Sequence, residues 1–72
     1  MKNEELLEWK DVLKKYIDNR ESVEITYLLY RKQIVVKCNV LSFDNNILFI
    51  ENIENSKKTY IKKPTILCIE EL

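Results

Sequence analysis

Four lysines fall within seven residues near the end of the chain: Lys57, Lys58, Lys62 and Lys63. The last two are adjacent, lie between strand-like flanks in TYIKKPTI (59–66), and are followed at once by Pro64. Clustered ammonium groups can hold an anion where the summed charge of a protein cannot. Here 12 basic residues balance 12 acidic ones, with acids gathered at both ends of the chain. That balance argues against coating a polyanion by bulk charge and leaves a focused site open. In a lone domain, Lys62 and Lys63 read as ordinary solvated charge at a loop. Repeated around a narrow ring they read differently, because crowded like charges repel. A phosphate-bearing ligand relieves that repulsion and releases counterions.

Most catalytic chemistry is removed by composition. The chain has no glycine, hence no glycine-rich phosphate loop, and no histidine, hence no Ser-His or Cys-His nucleophile. The pairs Glu4-Glu5 and Glu70-Glu71 lie near the termini and read as solvated charge. An enzyme is not expected. The two cysteines, Cys38 and Cys68, are far apart and show no zinc-ligand spacing, so neither a metal nor another cofactor is expected. Both stand inside apolar runs and read as buried small hydrophobes. No segment looks like a signal peptide and no stretch is long enough to span a membrane. A reducing, cytoplasmic setting is the expectation.

The elements that must position the lysines follow from periodicity. Residues 4–18, EELLEWKDVLKKYID, read as an amphipathic helix capped by Asn3, with Glu4 and Glu5 in the first turn. Leu6, Trp9, Leu13 and Tyr16 form its apolar stripe, Val12 and Ile17 widen it, and Asn19 closes it. From Val23 the period becomes two. Val23, Ile25, Tyr27 and Leu29 share one face of a first strand, and a turn follows near Arg31-Lys32. Ile34, Val36, Cys38 and Val40 share one face of the second strand. Asp44-Asn45-Asn46 is the clearest turn, since these side chains bond their own backbone. A third strand (47–52), a polar loop (54–58), a short strand (59–62) and a last strand (65–69) complete residues 1–72 as a single domain.

One helix and five short antiparallel strands suit a strongly bent, partly open barrel. At 72 residues a single core supplies only ~3–5 kcal/mol, so a staple is needed. With disulfide and metal set aside, oligomerisation is the staple left. Pairing a free edge with a neighbouring copy around a closed ring leaves no edge exposed.

This plan is also that of the Sm-like proteins, and the local residues resemble the branch formed by the bacterial-type RNA chaperone Hfq. SFDNNILFIEN (42–52) looks like the family's aromatic-Asp turn and third strand. YIKKPTILCI (60–69) matches, without gaps, the segment around the family's Tyr-Lys-His-Ala signature: Ile61 stands at the tyrosine position, Lys62 at the lysine, Lys63 at the histidine and Pro64 at the alanine. The resemblance runs from about Leu7 to Ile69.

The resemblance implies a homohexameric, Sm-like ring that acts as an RNA chaperone for small regulatory RNA and mRNA. On the pore-side face, U-rich single-stranded RNA would meet Asn45, Asn46, Lys62 and Lys63. At the rim it would meet Lys14, Lys15, Arg20 and Phe43. On the opposite face A-rich RNA would meet Thr26, Tyr30 and Ile34. The chain departs from the family at several points. Asn46 stands where a base-stacking aromatic is usual, and Trp9 lies near a usual glutamine. Two family glycines are missing, one of them in the first hairpin turn and the other replaced by Cys38. Two alternatives stand beside this reading: an Sm-like ribonucleoprotein scaffold, and an oligomeric module that serves only protein partners.

Overall fold

The computed structural model describes residues 2–72, with side chains from Lys10 onward. Helix α1 spans Lys2–Asp18. The expected cap at Asn3, the first-turn acids Glu4 and Glu5, and the stripe residues Leu6 and Trp9 lie outside the described side chains. Of the remaining stripe, Leu13 and Tyr16 are buried and Ile17 packs against the core. Val12 does not widen it: the residue is 37% exposed. Nor does Asn19 provide the left-handed residue that closes the helix. Arg20 takes φ 53° instead. Its N–H donates to the Ile17 carbonyl at 3.2 Å, and the Glu21 N–H reaches back to the Tyr16 carbonyl at 2.9 Å. This paired reversal satisfies two end carbonyls of the helix, with arginine in the place glycine usually takes.

Five strands follow: β1 (Ser22–Leu29), β2 (Lys32–Phe43), β3 (Ile47–Asn52), β4 (Lys58–Lys62) and β5 (Ile66–Glu71), with a single 3-10 turn at Lys63–Thr65 between the last two. The expected mostly β domain, one helix and then five antiparallel strands, is therefore present. The strands form one sheet in the order β4-β3-β2-β1-β5, every neighbouring pair antiparallel. The sheet does not close, and β4 and β5 are its two free edges.

Alternation along the strands builds the core. Val23 and Ile25 of β1, Cys38 and Val40 of β2, Leu48 and Ile50 of β3, Ile61 of β4 and Ile66 of β5 pack with Leu13 and Tyr16 of the helix. In β2 the alternation breaks once. Val40 pairs with Ile50 but Ser42 pairs with Phe49, so Leu41 is the extra residue of a bulge. The bulge reverses the parity that follows: Ser42 is exposed, and Phe43, opposite buried Leu48, packs against the core.

Two further expectations change. Leu29 pairs directly with Lys32, so the first hairpin turns on Tyr30-Arg31 rather than Arg31-Lys32. Both turn residues have positive φ, 51° and 65°, the combination of the two-residue turn that suits the twist of a hairpin. Cys38 is buried as expected, but Cys68 is exposed, because its register opposite Thr26 puts it on the outer face of β5. Among the described residues no helix is long and apolar enough to cross a membrane.

Candidate nucleic-acid interface

The turn between β2 and β3 is built by Asp44. Its Oδ1 accepts the backbone N–H of Asn46 at 2.7 Å and that of Ile47 at 2.8 Å. Those two bonds, the Asn46 one foremost, hold the Asp44 carboxyl below its ordinary range, and the nearby Lys63 ammonium adds to the effect. The Asp44 N–H donates to the Ile47 carbonyl at 2.9 Å, which closes the turn and leaves Asn45 and Asn46 exposed at its tip.

The lysine segment docks on this turn. β4 ends at Lys62, directly opposite Ile47. The next N–H, that of Lys63, donates to the Asn46 carbonyl at 2.8 Å. Asn45, Asn46, Lys62 and Lys63, distant in sequence, are thereby brought together. Pro64 then enters a 3-10 turn that is closed by the Thr65 hydroxyl donating to the Lys62 carbonyl at 2.7 Å. Proline lacks an N–H, and here the ladder has already stopped, so nothing is lost.

The two lysines do not share an environment. Lys62 is exposed, whereas Lys63 is 9% exposed and its Nζ lies 4.7 Å from the centroid of the Phe43 ring. That distance is within cation–π range. Burial lowers the Lys63 pKa; Asp44 opposes the shift and Lys10 of the helix reinforces it. Lys10 is a neighbour of this site that sequence reading missed. Its position one helical turn before buried Leu13 was the available signal.

The rim residues are less tightly grouped. Lys14 and Lys15 are exposed on α1. Phe43 lies beneath Lys63, near the Lys10 end of the described helix, while Arg20 lies past the other end of α1, which reaches Asp18 about 12 Å of helical rise beyond Lys10. There Arg20 lines a separate groove with Tyr16, Glu21 and Asn39. On the opposite-face set, Thr26 pairs with Val35 while Ile34 pairs with Tyr27 one residue away, so Thr26 and Ile34 point to opposite faces of the sheet. Tyr30, 91% exposed at the hairpin tip, joins neither.

No protein-family model, no curated protein and no solved structure matches this chain.

Proposed function

We propose that the chain is an Sm-like protein of the Hfq kind, a homohexameric ring that holds single-stranded RNA and brings small regulatory RNAs to their mRNA targets. The observation that carries this reading is the hydrogen bond from the Lys63 N–H to the Asn46 carbonyl. It joins the two segments whose residues resemble the family's aromatic-Asp turn and its lysine signature.

The free edges support assembly. β4 carries Lys58 and Lys62, with Lys57 just before it, and β5 ends in Glu70 and Glu71. Antiparallel pairing of β4 on one copy with β5 on the next sets Lys57 and Lys58 beside Glu70 and Glu71. The contact is head-to-tail, so any open string of subunits ends in one bare β4 and one bare β5. Closure removes both.

The mechanism is non-covalent. Lys62 offers its ammonium to phosphate directly, and Lys63 contributes its field from its seat over the Phe43 ring. The amides of Asn45 and Asn46 bond base edges without stacking. Several RNA segments held on one ring raise each other's effective concentration. Native mass spectrometry with a short U-rich oligoribonucleotide tests the reading: a hexamer carrying RNA supports it, and a monomer or dimer without RNA overturns it.

A ring that serves protein partners alone is the second reading. It is favoured by the exposed Leu28, Val35 and Leu67 on the sheet. A salt titration separates the two, since a protein-only module binds RNA weakly and without base preference.

A further inference from the structure

We infer that the outer face of β3 and β4 carries a nucleobase-stacking platform, formed by Phe49 and Tyr60 and flanked by Lys58 and Lys62. This rests on the RNA reading above and adds a surface outside the turn, rim and opposite-face sets, sharing only Lys62 with them.

The register places Phe49 directly across from Tyr60. Their ring centroids are 4.7 Å apart with planes tilted by 31°. Tyr60 is 68% exposed while the next residue, Ile61, is 1% exposed, so β4 turns Tyr60 outward and Ile61 into the core. Phe49, half-buried between buried Leu48 and Ile50, lies on the same outer face and backs the tyrosine ring. Ser42, the other partner of Phe49, is small and exposed and leaves the approach open. An aromatic ring braced in this way loses little conformational freedom when a base stacks on it.

Charge indicates what the ring is exposed to. The two-residue period of a strand puts Lys58, Tyr60 and Lys62 on one face, each about 6.7 Å from the next. The ring thus has a cation on each side along β4. Glu51 faces Lys58 across the ladder and screens it in part; no acid pairs with Lys62, whose partner is Ile47. A purely apolar partner would have to desolvate both ammonium groups. A single-stranded polynucleotide presents a π face between phosphates, and so matches a ring between lysines. Edge pairing of β4 with another copy uses backbone groups in the plane of the sheet, so Tyr60 and Lys62 stay accessible in a ring while Lys58 comes beside Glu70 and Glu71 of the next copy.

The cross-strand pair also steadies the sheet edge by itself, and the test must separate the two roles. Labelled oligo(A) and oligo(U) are titrated against wild type, Tyr60→Phe, Tyr60→Leu and Lys62→Ala. Tyr60→Leu keeps apolar bulk but has no π face, and is expected to weaken binding about tenfold. Tyr60→Phe is expected to stay within about twofold, and Lys62→Ala to reduce the salt slope by roughly 0.7. If wild type binds RNA and Tyr60→Leu, still folded, binds equally well, the platform is overturned while the ring reading survives. If wild type binds neither oligonucleotide, both fall. Should Tyr60→Leu fail to fold, the Tyr60 ring protons of wild type decide: an upfield shift on adding RNA is expected, and no shift overturns the inference.

Discussion

The ammonium of Lys63 lies 4.7 Å above the ring of Phe43, while the neighbouring Lys62 side chain stands in solvent. Adjacent residues of one type thus play different parts. Lys62 is available to a ligand; Lys63 holds the Asp44 turn through its backbone and packs on its aromatic through its side chain. Lys62→Ala is therefore expected to weaken RNA binding and reduce its salt slope by roughly 0.7, with the fold unchanged. Lys63→Met keeps an apolar stem over Phe43. It loses the cation–π contact but also removes the cost of burying a charge, so stability should stay within about 1 kcal/mol of wild type. Urea titration checks this, and a loss well beyond that bound would mean the cation–π contact outweighs burial.

Cys38 gives the protein a pH dependence at the alkaline end. Burial raises its thiol pKa from 9.0 to about 11. A thiol whose folded pKa is raised contributes stability that is complete below 9.0 and is lost as pH climbs through 11. Tyr16, raised first by burial and then by Glu71 and Glu21, acts in the same direction. Lys63 acts in the opposite one, since its lowered pKa lets the folded state shed a proton early. Wild type is expected to lose on the order of 2 kcal/mol more than Cys38→Ala between pH 8 and 11. Denaturation midpoints across that range measure the difference. Parallel curves for the two proteins would count against a buried thiol.

The first hairpin turn holds two non-glycine residues at positive φ, Tyr30 and Arg31. Side chains in the left-handed region cost roughly 1–2 kcal/mol each, and glycine avoids that cost. Arg31→Gly should accordingly stabilise the protein by about 1 kcal/mol, after allowance for the greater freedom of glycine in the unfolded chain. A rise in urea midpoint at constant slope would register it. A fall would show that the hairpin turns by another geometry.

The order of helix and strands was legible because each element keeps its period long enough to be read. Leu13 and Tyr16 recur at helical spacing, and Val23 to Leu29 alternate. The Asp44 turn was legible because its residue types bond their own backbone. What escaped depended on a single residue of register or on distant neighbours. The Leu41 bulge lies within a run apolar on both faces, so alternation alone would have sent Ser42 inward and Phe43 out. The burial of Lys63 depends on the 3-10 turn at Pro64 and on where Phe43 ends up after that bulge. Cys68 reads as apolar in sequence, yet the single helix leaves the outer face of β5 uncovered. Arg20 closes the helix because the chain must reverse there into β1, whatever its preference for the left-handed region.

Charge at the two sheet edges offers the most direct test of assembly. β4 presents Lys58 and Lys62, with Lys57 just before it, and β5 presents Glu70 and Glu71. If these edges meet between copies, reversing one sign opposes like charges at every interface. Lys57→Glu with Lys58→Glu should break the oligomer, and Glu70→Lys with Glu71→Lys should do the same. Each double variant keeps one original edge. Mixed together, they repel at junctions between copies of one variant and attract at every junction where the two variants alternate. Combining all four changes in one chain gives every junction opposite signs again, now reversed. The four-fold variant is thus expected to assemble where neither double variant does, with the oligomer read by native mass spectrometry at low salt, where screening is weakest. Assembly on mixing the two double variants, each chain keeping its altered net charge, separates edge pairing from the charge of the single chain. If all three variants assemble as wild type does, the edges do not meet and the ring must be sought elsewhere. If the four-fold variant also stays apart, opposite charge at these edges is not what holds the copies together.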